Sequence, residues 1–129
     1  WRMPKGLLQD MNDARELTKH NKAMTFTVAF NYGGRAELID AFRAMTADGL
    51  SPKQITEKKI GQYLYGKKMP EPDLIIRTSG EQRLSNFLLW QSAYSEFLFL
   101  DSFWPDFTRT TLHKAVAEYQ IRSRRFGAL

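Results

Sequence analysis

The chain has 129 residues, of which 43% are hydrophobic and 26% charged, the composition of one modest soluble globular domain. It contains no cysteine, which excludes a disulfide framework and a thiolate metal site and fits a reducing compartment. A net charge of +5 favours acidic partners (phosphates, nucleic acid or anionic lipid), with a solvated basic surface as the plain alternative.

No apolar run reaches membrane-spanning length, and no stretch has the pattern of a signal peptide. The opening Trp1-Arg2-Met3-Pro4 raises the expectation of a piece of a longer chain. Residues 7–21 carry Leu7, Leu8, Met11, Ala14 and Leu17 at the spacing of an amphipathic helix. Residues 24–30 alternate, with Met24, Phe26, Val28 and Phe30 on one side, which predicts a strand. Asn31-Tyr32-Gly33-Gly34-Arg35 then reads as a turn. Its two glycines serve a tight turn or a close approach to a ligand, and the structural role leads. A helix follows with Leu38, Ile39, Phe42 and Met45 on one face.

Ser51-Pro52-Lys53-Gln54 has the form of a capping box with proline at the first helical position, predicting a helix to about Leu64. Residues 66–72 form a basic linker. Residues 74–77 predict a strand on the apolar run Leu74-Ile75-Ile76, residues 86–93 a helix, and residues 97–100 a last short strand. Leu112, Ala115, Val116 and Tyr119 mark a final helix running into Arg122, Arg124 and Arg125. Trp90 and Trp104 are expected in the core. Strands alternating with helices predict an α/β fold with a parallel sheet, although three strands make it thin.

The stretch "RTSGEQRLSN" at residues 77–86 connects a predicted strand to a predicted helix. In open parallel sheets, ligands bind outside the carboxyl ends of strands. Ser85 is placed to cap the following helix, whose N-terminus would favour an anion. Arg77, Arg83, Ser79 and Ser85 add donors, and the arginine fork matches phosphate oxygens. Gly80 allows close approach or positive φ. These features describe a phosphate or diphosphate cradle. The alternative is a capped helix with solvated arginines and Glu81 paired to one of them. The spacing is not that of a Walker loop. Glu96 precedes the last strand as a cap, an ion-pair partner or a functional acid, and His20 and His113 stand isolated. The scattered lysines Lys53, Lys58, Lys59, Lys67 and Lys68 lack any nucleic-acid-binding pattern, so no nucleic-acid partner is expected.

Four stretches together carry a family resemblance: "FNYGGR" at 30–35, "DLIIRTSGEQRLSNFLLWQSAYSEF" at 73–97, "WPDF" at 104–107 and "RRFG" at 124–127. On these the chain resembles the cis-prenyltransferases of the undecaprenyl and decaprenyl diphosphate synthase type, through nearly its whole length. The resemblance implies an α/β fold with a central, mostly parallel sheet flanked by helices. It also implies that residues 1–129 are the C-terminal part of a single domain. The family's Asp-Gly-Asn-Gly-Arg-type loop, which binds the allylic diphosphate, matches nothing here.

The implied activity is condensation of isopentenyl diphosphate with an allylic diphosphate primer into a (Z)-polyprenyl diphosphate, a lipid-carrier precursor for cell-wall or glycan synthesis. By the same resemblance, Arg77, Arg83 and Ser85 grip the isopentenyl diphosphate and Glu81 orders them. Glu96 matches an acidic residue linked to activity and to Mg²⁺, the expected cofactor and metal. Arg125 and Gly127 belong to a terminal Arg-x-Gly motif that completes the site across a homodimer. Asn31 and Arg35 lie in a signature beside the substrate, and Met24 and Phe26 are candidate tunnel-wall residues, with ordinary core as the alternative. The resemblance places the protein in the cytoplasm, at the membrane surface for product release. The competing reading is a catalytically silent partner subunit. Such partners tend to lose the loop arginines, and Arg77, Arg83, Ser85 and Glu96 are all present here.

Overall fold

The computed structural model describes residues 4–67 and 69–122, so Arg124, Arg125, Phe126 and Gly127 lie outside the described residues. The chain divides into two units, residues 1–30 and residues 31–129. In the first, helix α1 spans Lys5–Thr18, close to the predicted span. Thr18 Oγ1 donates back to the Ala14 carbonyl at 2.8 Å, and Asn21 N to the Thr18 carbonyl at 2.9 Å, which closes its last turn.

The strand expected at residues 24–30 is not formed. These residues carry no strand assignment, and Met24 and Phe26 are 78% and 82% exposed. Alternation records only a propensity, because a strand exists only with a partner ladder. The one sheet among the described residues is built from two other segments. Within this unit, then, neither Met24 nor Phe26 is the core residue that the plainer alternative required.

In the second unit, α2 spans Gly34–Ala47. Its buried line is Gly34, Glu37, Ala41 and Met45, with Leu38 half-buried beside it, whereas Ile39 and Phe42 are exposed. The apolar stripe is therefore rotated from the predicted face. The predicted third helix is split in two. Pro52–Gln54 forms a 3-10 turn, with Ser51 N donating to Gln54 Oε1 at 2.8 Å as the capping box requires. Ile55 and Thr56 then return to extended backbone, and Thr56 caps a separate short helix, α3, Glu57–Gly61, by accepting from Lys59 N at 3.2 Å. Two competing caps within five residues break the helix.

Ala41 and Met45 of α2 meet Ile60 and Leu64, with Leu38, Leu50, Tyr63 and Trp90 packed around them. Trp90 thus borders the core as expected. Trp104 does not: it is 72% exposed and stacks on Phe107, ring centroids 5.3 Å apart, in a 3-10 turn over Trp104–Asp106. Pro105 and the extended backbone at Phe103 and Phe107 hold this turn as a short excursion of its own.

Strands β1, Leu74–Arg77, and β2, Glu96–Phe99, pair in parallel, as the strand–helix alternation predicted. Leu74 faces Glu96 and Arg77 faces Phe99. The last helix, α4, spans Arg109–Gln120 and is capped by Thr108, which accepts from Thr111 N at 3.2 Å. Among the described residues no helix is long and apolar enough to cross a membrane.

Met45 is completely buried in this core. Met45→Ala should lower stability by about 2–5 kcal/mol through lost burial and the cavity left behind. Chemical denaturation followed by circular dichroism checks this, and a loss under about 1 kcal/mol would mean that the core collapses around the gap.

Candidate functional site

The connection from β1 to β2, residues 78–95, is where the structure departs most from the expected helix. It is built of turns, bends and irregular backbone, with no helix. Ser85, Asn86 and Leu88 have φ of 48°, 66° and 45°. Left-handed residues interrupt a right-handed helix, so Ser85 caps no helix beginning at Asn86. The backbone closes instead through short-range bonds, Phe87 N to Leu84 O at 3.0 Å and Ser95 N to Ser92 O at 3.0 Å.

The sequence-predicted residues of this loop do come together. Arg77 ends β1 at the carboxyl edge of the sheet. Its guanidinium donates to Ser85 Oγ at 3.0 Å, to the Arg83 carbonyl and to the Glu81 carboxylate. Glu81 also pairs with Arg83, one oxygen to each arginine. The result is a closed cluster of Arg77, Glu81, Arg83 and Ser85 in which one carboxylate holds two guanidinium groups apart and in register. The side chain of Arg77 is 25% exposed and that of Arg83 is 61% exposed, so Arg83 is the cation presented to solvent. Behind it lies a half-open pocket of about 190 Å³, lined by Ile75, Ile76, Leu84, Phe87, Phe97 and Phe99 as well as the arginines. A polar, cationic mouth over an apolar floor suits a ligand with an anionic head and a hydrocarbon body.

The base of the loop is fixed to the segment that follows β2. Ser79 N donates to Ser102 O and Gly80 N to Leu100 O, both at 2.8 Å. Gly80 has φ +69°, and a Cβ there would also meet Asp101 Oδ1 at 3.3 Å. Glycine is needed here for the protein's own backbone.

The second signature, residues 31–35, is joined to the first. Asn31, at φ 51°, turns the chain into α2. The Gly34 N–H donates to the Asn86 carbonyl at 2.8 Å, and the Arg35 N–H to Asn86 Oδ1 at 2.9 Å. A Cβ on Gly33 would stand 2.9 Å from Asn86 Nδ2, and one on Gly34 would stand 2.9 Å from Leu89 Cγ. The glycine pair therefore serves a close approach, but to residues 86–89 of the chain itself. Asn31 and Arg35 are both exposed, and Arg35 contributes its backbone to this junction.

Glu96 stands apart. It begins β2 opposite Leu74, three positions back along the ladder from the Arg77–Phe99 pair, about 10 Å at the rise of a parallel strand. There its Oε2 accepts from Arg122 Nη1 at 3.0 Å. Arg122 also donates to Phe97 O at 2.8 Å and to Glu118 Oε1 at 2.6 Å, and Glu118 first, then Glu96, hold its pKa above the ordinary arginine value. Sequence reasoning placed Arg122 only in a basic run and missed this anchor of α4 on β2.

It also missed Glu37, which is 1% exposed. Its oxygens accept from Tyr32 Oη, from Tyr65 N at 2.8 Å and from Gln91 Nε2 at 3.0 and 3.1 Å. Burial first, then the hydrogen bond to this carboxylate, push the Tyr32 hydroxyl well above the usual tyrosine range. The signal was in the sequence: Glu37, Ala41 and Met45 recur every four residues along one helical face.

Residues 1–127 match the prenyltransferase family model described as undecaprenyl diphosphate synthase. The chain belongs to this family. It is 50% identical over 130 residues to a trans,polycis-polyprenyl diphosphate synthase of Thermobifida fusca specific for (2Z,6E)-farnesyl diphosphate, covering 98% of this chain and 46% of that protein. It is 49% identical over 121 residues to the ditrans,polycis-undecaprenyl-diphosphate synthase of Micrococcus luteus, covering 91% of this chain and 49% of that one. Its backbone is similar to the crystal structure of lavandulyl diphosphate synthase from Lavandula x intermedia in complex with dimethylallyl diphosphate. That TM-score is 0.91 at 42% identity, over 98% of this chain and 56% of the other. The fold is thus that of the cis-prenyltransferases, and the chain spans about half the length of the curated relatives it matches.

Within this family's fold, the packing of residues 33–34 against 86–89 is testable. Gly34→Ala should cost about 1–3 kcal/mol, because both Leu89 and the Asn86 carbonyl, 3.2 Å from the added methyl, must move. Thermal melting of Gly34→Ala beside Gly61→Ala, where a methyl meets nothing within 4 Å, isolates the clash. Equal melting temperatures would show that the segment yields freely.

Proposed function

We propose that the Arg77–Glu81–Arg83–Ser85 cluster binds the diphosphate of isopentenyl diphosphate in a protein that carries out cis-prenyl chain elongation. The observation behind this reading is the pair of guanidinium groups bridged by Glu81 at the carboxyl end of β1, above an apolar pocket. The family membership and the activities for which the relatives are named agree with it.

In the reaction, the allylic C–O bond breaks and pyrophosphate leaves with its electron pair. The double bond of isopentenyl diphosphate supplies the electrons of the new C–C bond, and a proton is then lost to form the new cis double bond. Arg83 and Arg77 neutralise the isopentenyl diphosphate head, and Ser85 adds a hydroxyl donor. Glu81 and the Arg83 carbonyl prevent the Arg77 fork from rotating away. The phenyl groups of Phe87, Phe97 and Phe99 line the path for the hydrocarbon. Positioning of this kind lowers the barrier by supplying orientation before the bond forms.

Mg²⁺ belongs to the same reading and, when bound, assists the leaving pyrophosphate as a Lewis acid. The donor type fits, since Mg²⁺ usually takes one or two carboxylates and completes its shell with phosphate oxygens and water. Glu96 would supply one oxygen. The described residues hold no cluster of three or more acidic, histidine or cysteine side chains, and Glu96 is paired with Arg122 about 10 Å along the ladder from Arg77, so water would fill the rest of the shell. Completion of the site by Arg125 and Gly127 of a second copy in a homodimer is also part of the proposal, supported by the Arg-Phe-Gly sequence.

In the full-length protein, Arg83→Ala should raise the KM for isopentenyl diphosphate about 10²-fold or more, since a hydrogen bond to a charged group contributes about 1.5–3 kcal/mol and two are lost. Steady-state kinetics with an unchanged KM would remove Arg83 from the site.

Glu96→Gln should lower turnover and shift the Mg²⁺ concentration needed for half-maximal rate upward, because the carboxylate charge is lost while the size is kept. A Mg²⁺ titration superimposable on the unmodified protein would leave Glu96 as the partner of Arg122 alone.

A further inference from the structure

Residues 85–88 hold three non-glycine positions at positive φ. Such conformations cost on the order of 1–3 kcal/mol each and persist only where the surroundings over-determine them. Besides Arg77, which holds Ser85, the contacts of this segment come largely from α2 and the turn before it. At its first turn α2 holds Asn86 through the Gly34 and Arg35 N–H groups. One turn further on, Glu37 holds Gln91 by both carboxylate oxygens. Between these two points, Phe87 packs edge-on against Tyr32, ring centroids 5.7 Å apart, and the Tyr32 hydroxyl donates to the same Glu37.

We propose that Glu37 is a positioning residue for the diphosphate site: it clamps residues 87–91 onto α2 and thereby fixes Ser85 and Arg83 at the mouth of the pocket. This rests on the diphosphate assignment made above for Arg77, Arg83 and Ser85. Every partner of Glu37 is a donor, from a tyrosine hydroxyl, a backbone N–H and a side-chain amide. A carboxylate accepts from all of them, whereas an amide in its place would turn an N–H₂ toward one of these donors. The group is also buried, so a lost bond leaves a donor without water to replace it. The hydrogen-bond partners of Glu37, namely Tyr32, Tyr65 and Gln91, are neither the arginines nor residues lining the pocket, so its effect passes through the segment it holds.

The test uses the full-length protein with Glu37→Gln and, in case that variant folds poorly, the milder Tyr32→Phe. The KM for isopentenyl diphosphate should rise about tenfold or more, since small displacements of positioning groups have effects of this size, while the KM for the allylic primer stays within about twofold. Ile60→Ala weakens the same core without touching Glu37 and should leave both KM values unchanged. A KM for isopentenyl diphosphate unchanged in both clamp variants, or raised as much by Ile60→Ala, overturns the proposal. A separate measurement without substrate keeps it apart from the functional reading: amide hydrogen exchange over residues 84–91 should quicken about tenfold in Glu37→Gln. If the unmodified protein fails to bind isopentenyl diphosphate, the diphosphate assignment falls. Unchanged exchange in that segment overturns the clamp whatever the ligand.

Discussion

The left-handed backbone of residues 85–88 is the constraint around which the rest of this unit is arranged. A right-handed helix there would have carried Ser85 and Asn86 into a regular turn and closed their donors and acceptors on themselves. The turns instead leave the Ser85 hydroxyl facing Arg77 and both oxygens of Asn86 free to accept from α2. Such a segment has little stability of its own. It is held because α2 presents two unpaired N–H groups at its start, a carboxylate one turn later, and a tyrosine ring just before it. The parallel ladder supplies the other fixed point, since Arg77 sits at the carboxyl edge only because Leu74 is in register with Glu96.

Features that depend on neighbours in the chain were legible from residues alone. Arg77, Glu81, Arg83 and Ser85 fall within nine residues, and their types leave few ways to pair. The strand at 74–77, and the one at 96–99 with a shift of one residue from the expected 97–100, could be read because apolar runs bounded by Pro72-Asp73 and Tyr94-Ser95 have few alternatives. Features decided by distant contacts were not legible. Phe87-Leu88-Leu89-Trp90 has the apolar density of a helix, and nothing in it announces that Asn86 will be claimed by Gly34 and Arg35, 52 and 51 positions earlier. Residues 24–30 have the alternation of a strand, but alternation does not supply a partner. The split near Thr56 was hidden for a different reason, because two capping signals lay close together and only one was weighed.

The cluster at the loop also shows how a cation site is kept intact before an anion arrives. Two guanidinium groups left alone would repel each other and move apart. Glu81 joins them, so the excess charge of the cluster is one rather than two, and the forks are already oriented. These are partly exposed pairs whose own stabilising effect is small. Their value lies in removing the ordering that a ligand would otherwise have to impose. The other acidic residue of interest, Glu96, works at the far end of the ladder with Arg122, where the same chemistry secures α4 to the sheet.

The paired glycines at the start of α2 decide where affinity for an anion can come from. A glycine-rich turn leading into a helix is the usual form of a phosphate-binding helix terminus, with open N–H groups and the positive end of the dipole facing the ligand. Here the close approach that Gly33 and Gly34 permit is used by Asn86, whose carbonyl and side-chain oxygens take the Gly34 and Arg35 N–H groups. Those donors are spent on the fold. The segment after Ser85, which is not helical, offers no second helix terminus. On the proposed reading, recognition of a diphosphate would therefore fall to side chains, to Arg83 foremost, with Arg77 and Ser85 behind it. It should accordingly be strongly sensitive to ionic strength at the exposed Arg83 and much less so at the half-buried Arg77.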